Sequence, residues 1–154
     1  MEVIEGKIKL RFEKPEYGWL LMNFVCGDYE LKLHISNVPN NPIDDLRSAL
    51  MTLNEPNYEA WGSQEVIFHL EPACYYLVIE RNNENLDLKI FHSKDYGGKK
   101  YTVKNISGNY NQILMPIYRA LMNFYSYEHN ESDWSKTDEK LIQKLKKTVK
   151  NKST

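Results

Sequence analysis

Only two of the 154 residues are cysteine and only seven are glycine. Cys26 and Cys74 stand far apart and share no metal-ligand spacing, which excludes a disulfide scaffold and a thiolate zinc site. Two buried thiols in a reducing compartment are expected instead. The sparse glycines meet side by side at Gly97-Gly98 and nowhere form a phosphate loop or a Gly-x-Ser-x-Gly elbow. His-Glu-x-x-His is missing too, so the strong signatures of a zinc hydrolase are not written here. Nor does any stretch approach the 18 or so apolar residues of a membrane span. Glu2, Glu5, Lys7 and Lys9 break up what a signal peptide would need as an apolar core, so a cytoplasmic location is the expectation.

Net charge is also scarce, at −1, but its distribution is uneven. Residues 1–135 carry 13 Lys and Arg against 19 Asp and Glu, while residues 136–154 carry seven Lys against Asp138 and Glu139. An acidic body argues against a nucleic-acid-binding core and permits a basic protein partner. The basic tail reads as a solvated helix. With 42% hydrophobic and 27% charged residues the composition is that of an ordinary globular domain. A chain of this length buries about 68–70% of its unfolded surface without staples. A single domain over 1–154 is expected, with its core over about 3–128 and a basic helix over about 136–150.

Alternation of apolar and polar residues marks the strands. Ile8, Leu10 and Phe12 form the first. Trp19 to Cys26 is apolar at both parities and reads as a central strand covered on both faces. Gly27-Asp28 is a two-residue hairpin signal, and Tyr29, Leu31, Leu33 and Ile35 complete a meander. A helix follows: Asn41 caps, Pro42 suits the first turn, and Asp44 and Asp45 meet the positive end of the dipole. Its apolar stripe is Ile43, Leu46, Leu50 and Leu53. A polar loop over 54–63 leads to Val66, Phe68 and Leu70. Pro72 interrupts there, and strands at 75–79 and 86–90 follow, with a further one at Tyr101-Thr102-Val103. A helix over about 109–127 carries Pro116 inside it. In the last helix Leu141, Leu145 and Val149 form a narrow seam, and 151–154 should fray. The fold class is α+β: one antiparallel sheet of six or seven strands, meander, helix, meander, with two or three helices on one face. Strand-then-helix wording recurs, as Glu30–Ser36 before Leu46–Met51 and as Asp87–Ser93 before Tyr118–Met122. The matched positions are core positions, so the repeat describes packing.

Chemistry is thinly written. His34, His69 and His92 all fall on strands and would make a site only if they converged with a carboxylate. Glu71 and Glu80 flank one strand and stand about 30 Å apart in extended chain, too far for paired-carboxylate catalysis. Cys26 has no basic neighbour to lower its pKa, and Asp28 would raise it. Eleven tyrosines and three tryptophans are the remaining feature. Tyr17, Tyr29, Tyr58, Trp61, Tyr96 and Trp134 fall near loops or strand ends, where aromatics either anchor a protein interface or cap the core. Their neighbours Glu16, Asp28, Glu59 and Asp95 would repel phosphate.

One stretch has a family likeness. The helix Ile43–Leu53, an acidic loop, and Val66-Ile67-Phe68-His69-Leu70-Glu71-Pro72 with the hairpin after it resemble small bacterial immunity proteins of the WapI type. The likeness spans about residues 40–92. It implies a protein that binds and neutralises a cognate toxin. With the acidic body and the missing catalytic motifs, the expectation is a non-enzymatic, cytoplasmic protein with a basic toxin domain as partner, no cofactor and no metal. The expected partner-binding residues are Glu55, Tyr58, Glu59 and Trp61, in the acidic aromatic loop. Two other readings stand beside it: a small-molecule-binding or hydrolytic enzyme built on the strand histidines, and a subunit that oligomerises, as a homodimer, through a sheet edge or the last helix.

Overall fold

The computed structural model describes residues 1–55 and 62–153. Eight strands and three helices run in the order β1 (Glu2–Val3), β2 (Lys9–Phe12), β3 (Trp19–Cys26), β4 (Tyr29–Ser36), α1 (Pro42–Leu53), β5 (Ser63–His69), β6 (Cys74–Asn82), β7 (Asn85–Ser93), β8 (Tyr101–Gly108), α2 (Tyr110–Tyr125) and α3 (Glu139–Ser153). All the strands belong to one sheet, ordered β1-β8-β7-β6-β5-β4-β3-β2. Each neighbouring pair is antiparallel except β1 and β8, which are parallel.

The sheet is bent rather than flat. β3 and β4 pair along their whole length, as do β6 and β7, but β4 and β5 share one registered pair, Ser36 with His69. Beyond that corner the halves diverge and turn their apolar faces toward each other. Met22, Phe24, Leu31 and Leu33 from one half, Phe68, Leu77, Leu88 and Ile90 from the other, and Ile117 of α2 line an apolar gap of about 20 Å³. That is far below the volume of a small-molecule site, and it offers a water no polar partner. On the far side the halves meet again: Lys104 of β8 pairs with Glu2 at 2.9 Å and lies 5.3 Å from the Tyr29 ring of β4.

The helices tie the halves together. α1 packs on β5, and α2 packs on β2 and β7. Asn41 accepts from the amides of Ile43 and Asp44, capping α1. Asn109 and Gln112 form a reciprocal capping box on α2. Pro116 lacks the amide that would bond the Gln112 carbonyl one turn back. That freed carbonyl accepts instead from the Ile8 amide at 3.0 Å, and the Gln112 side-chain amide reaches the Ile4 carbonyl at 3.1 Å. The proline therefore opens the attachment point of the segment that crosses from β1 to β2.

Several expectations are corrected. The sheet has eight strands rather than six or seven, because Glu2–Val3 adds a two-residue parallel strand too short to carry any alternation. β3 is not covered on both faces. Leu20, Met22, Phe24 and Cys26 are buried, whereas Leu21 on the outer face is 50% exposed. The last helix begins later, at Glu139, and continues to Ser153 instead of fraying after 150. It buries Ile142, Leu145 and Val149 and leaves Leu141 exposed, a 3-and-4 spacing read one residue off. For Trp134, placed between interface anchor and core cap by sequence, the structure selects the core, where it is fully buried. Among the described residues no helix is long and apolar enough to cross a membrane.

Candidate functional site

Four connections crowd around the corner where β4 meets β5. The Asn37 amide donates to the Gly18 carbonyl at 3.1 Å, joining the β4–α1 connection to the β2–β3 turn. Ser36 Oγ donates to Glu71 Oε1 at 3.2 Å, bringing in the β5–β6 turn. The Tyr96 ring of the β7–β8 connection lies 5.3 Å from the His69 ring. The segment after α2 joins too, since the Tyr17 amide donates to Asp133 Oδ1 at 3.0 Å and the Gly18 amide to the Asp133 carbonyl at 2.6 Å.

This corner exposes large apolar side chains: Tyr17 at 78%, Val38 at 58% and Tyr96 at 64%. Glu16 and Asp95 neighbour Tyr17 and Tyr96 in their turns, and Glu71 and Asp133 are tied to the corner through Ser36 and the Tyr17 amide. Val38, Pro39, His69, Glu71, Pro72, Asp95 and Tyr96 line an open pocket of about 430 Å³. Local backbone shapes this surface. Tyr17 and Glu71 both hold left-handed φ, at 53° and 58°, conformations that side-chain-bearing residues rarely take.

His69 lines this pocket, and behind it lies a buried thiol that sequence reasoning did not pair with it. Cys74 Sγ lies 3.6 Å from His69 Nδ1 across the turn. Burial pushes the Cys74 thiol up, Tyr76 hydrogen bonding offsets this in part, and Asp95 adds to the rise. Burial lowers His69 against a smaller upward pull from Glu71. Both shifts favour a neutral thiol beside a neutral imidazole, the opposite of the thiolate–imidazolium pair that nucleophilic catalysis uses. Hairpin register could have found this pair, because His69 and Cys74 are the last matched residues of β5 and β6.

The three strand histidines do not converge. His34 is exposed and packs on Trp19 at 5.1 Å. His69 is buried beside Cys74, while His92 pairs with Tyr75 and packs on its ring at 4.8 Å. Cys74 and Tyr75 are successive, so His69 and His92 point to opposite faces of the sheet. Among the described residues no group of three His, Cys, Asp or Glu side chains is arranged to hold a metal ion. Cys26 is buried at the end of β3, with its thiol pushed up by burial, opposed by Lys104 and reinforced by Glu2.

Of the residues expected to bind a partner, Glu55 is exposed just past the Asn54 C-cap of α1. Tyr58, Glu59 and Trp61 lie outside the described residues. That loop enters β5 at Ser63, the opposite end of the strand from the corner, about 20 Å away. Tyr17 and Tyr96, two of the loop aromatics flagged by sequence, both stand exposed in connections tied to this end of the sheet. Tyr29 lies half-buried beside Lys104 instead.

No family model matches this chain, and no curated protein matches it. Among solved structures, a chain of a CdiA-CT/CdiI toxin and immunity complex from Enterobacter cloacae aligns with 77% of this chain and 99% of its own length. The two are 14% identical, with a TM-score of 0.46.

Proposed function

We propose that this chain is a non-catalytic binding protein that holds a basic protein partner at the β4–β5 corner. The observation that carries the reading is the grouping of exposed Tyr17, Val38 and Tyr96 with Glu16, Glu71, Asp95 and Asp133. Aromatic anchors supply binding energy at an interface, and surrounding charge of one sign steers a partner of the other. The corner is built on strand ends and turn backbones cross-linked by hydrogen bonds, so little ordering is required on association.

The partner class follows from charge and from the 40–92 likeness to WapI-type immunity proteins. It is a basic toxin domain that this chain neutralises by occupying it. The acidic loop with Glu55, Tyr58, Glu59 and Trp61 is a second contact in the same proposal. The neutral, buried Cys74–His69 pair and the separated histidines favour binding over hydrolysis.

Co-expression with basic toxin domains, screened for one that the chain protects against, tests this. The wild-type chain should restore growth and co-purify with that domain, and the Tyr17→Ala/Tyr96→Ala variant should do neither. A chain that fails to bind or protect would overturn the proposal.

A further inference from the structure

The pocket inside the corner has a more specific chemistry than the surface around it. Two of its lining residues are carboxylates, Glu71 and Asp95, and none is a cation. Ser36 engages Glu71 through Oε1, and the Asp95 carboxylate takes no hydrogen bond from any described residue. Two of the three lysines of the same connection are turned elsewhere. Lys100 Nζ sits 4.0 Å from the Tyr76 ring and 3.4 Å from Glu65, and Lys99 Nζ lies 5.2 Å from the Tyr101 ring. Lys94 precedes Asp95 but is not part of the lining.

The other walls are apolar or aromatic: Val38, Pro39, Pro72, the exposed Tyr96 ring and the His69 ring beside it. Burial lowers the His69 pKa, so this ring does not place a fixed positive charge in the pocket. A volume of about 430 Å³ accommodates one long side chain. Apolar walls suit a methylene stem, a tyrosine face suits a cation above it, and two carboxylates suit a forked donor.

We propose that this pocket receives an arginine side chain of the basic partner, its guanidinium stacked on Tyr96 and bonded to Glu71 and Asp95. Arginine fits better than lysine because its planar fork can serve two acceptors while lying flat on a ring. This inference rests on the corner being the partner surface, and it names the group that the partner inserts there.

The full chain can be probed without the partner. Nα-acetyl-arginine amide should cause saturable amide shifts at His69, Tyr96 and Gly97 at millimolar concentration, and the uncharged citrulline analogue should not. Glu71→Gln/Asp95→Asn should weaken the arginine probe at least fivefold, with an unchanged circular dichroism spectrum. Equal response to citrulline, shifts scattered elsewhere, or full affinity in the double variant would each overturn the pocket assignment. Partner binding by the same variants separates the two levels. If Tyr17→Ala abolishes it while Glu71→Gln/Asp95→Asn leaves it intact, the surface stands and the arginine pocket falls. If neither changes it, the surface itself is wrong.

Discussion

Ser36 stands opposite His69 in the one registered pair that joins β4 to β5, and both side chains are buried. Everything distinctive about this molecule follows from that junction. It bends the sheet so that two apolar faces close on each other. It also gathers turns from distant parts of the chain onto one exposed corner, and the groups buried under that corner respond to pH.

His69 makes stability pH-dependent. Its folded-state pKa is lowered from the ordinary 6.5 by burial, so the unfolded chain binds a proton more readily. The contribution is complete above the unfolded value and is lost as pH falls from about 6.5 through the folded pKa. Urea midpoints at pH 7.5 and 5.5 should show lower stability at the acid value, with a smaller difference in His69→Gln.

Glu71 trades stability for its position. Its left-handed φ of 58° costs a side-chain-bearing residue about 1 kcal/mol, a cost that glycine avoids. Glu71→Gly relieves that strain but also removes the Ser36 hydrogen bond, worth about 1 kcal/mol, so the unfolding free energy should change little while partner binding weakens. Chemical denaturation and titration calorimetry on the same preparation would show binding lost without a matching loss of stability.

Trp134 fixes the segment after α2 beneath the corner. Its indole Nε1 donates to the α1 cap Asn41 Oδ1 at 3.1 Å, and Thr137 Oγ1 donates to Asp44 Oδ1 at 2.9 Å. Trp134→Phe removes one hydrogen bond and should cost about 1 kcal/mol. Trp134→Ala also leaves a cavity and should cost about 3–5 kcal/mol. Thermal or urea melts of the two variants would separate these contributions.

Gln112 has three roles at once, as cap partner of Asn109, anchor for the Ile4 carbonyl, and carbonyl acceptor for Ile8. Gln112→Ala removes the first two and should cost about 1–2 kcal/mol. Hydrogen exchange should speed up in residues 2–8 before it does in β6 and β7.

Much of this architecture was legible in the residues. Asn41-Pro42 with Asp44 and Asp45 marked the start of α1, and Gly27, which holds a φ of 59°, marked its hairpin. Local pattern could not disclose the bend, because Ser36 and His69 meet only through tertiary pairing. The parallel β1 is too short for periodicity, and Leu141 and Ile142 compete for the same helical stripe. The exposed corner was half visible. Tyr17 and Tyr96 were identifiable as loop aromatics, but their place at one end of the sheet depends on a register that no single strand encodes.

The central claim is that a basic partner docks on this corner. Amide hydrogen exchange of the chain, alone and bound to a basic partner domain recovered by co-purification, tests it most directly. Protection should concentrate in residues 16–19, 36–39, 70–73 and 94–98. Protection confined to the outer face of α3 or to the free edge of β2, with the corner unchanged, would contradict it.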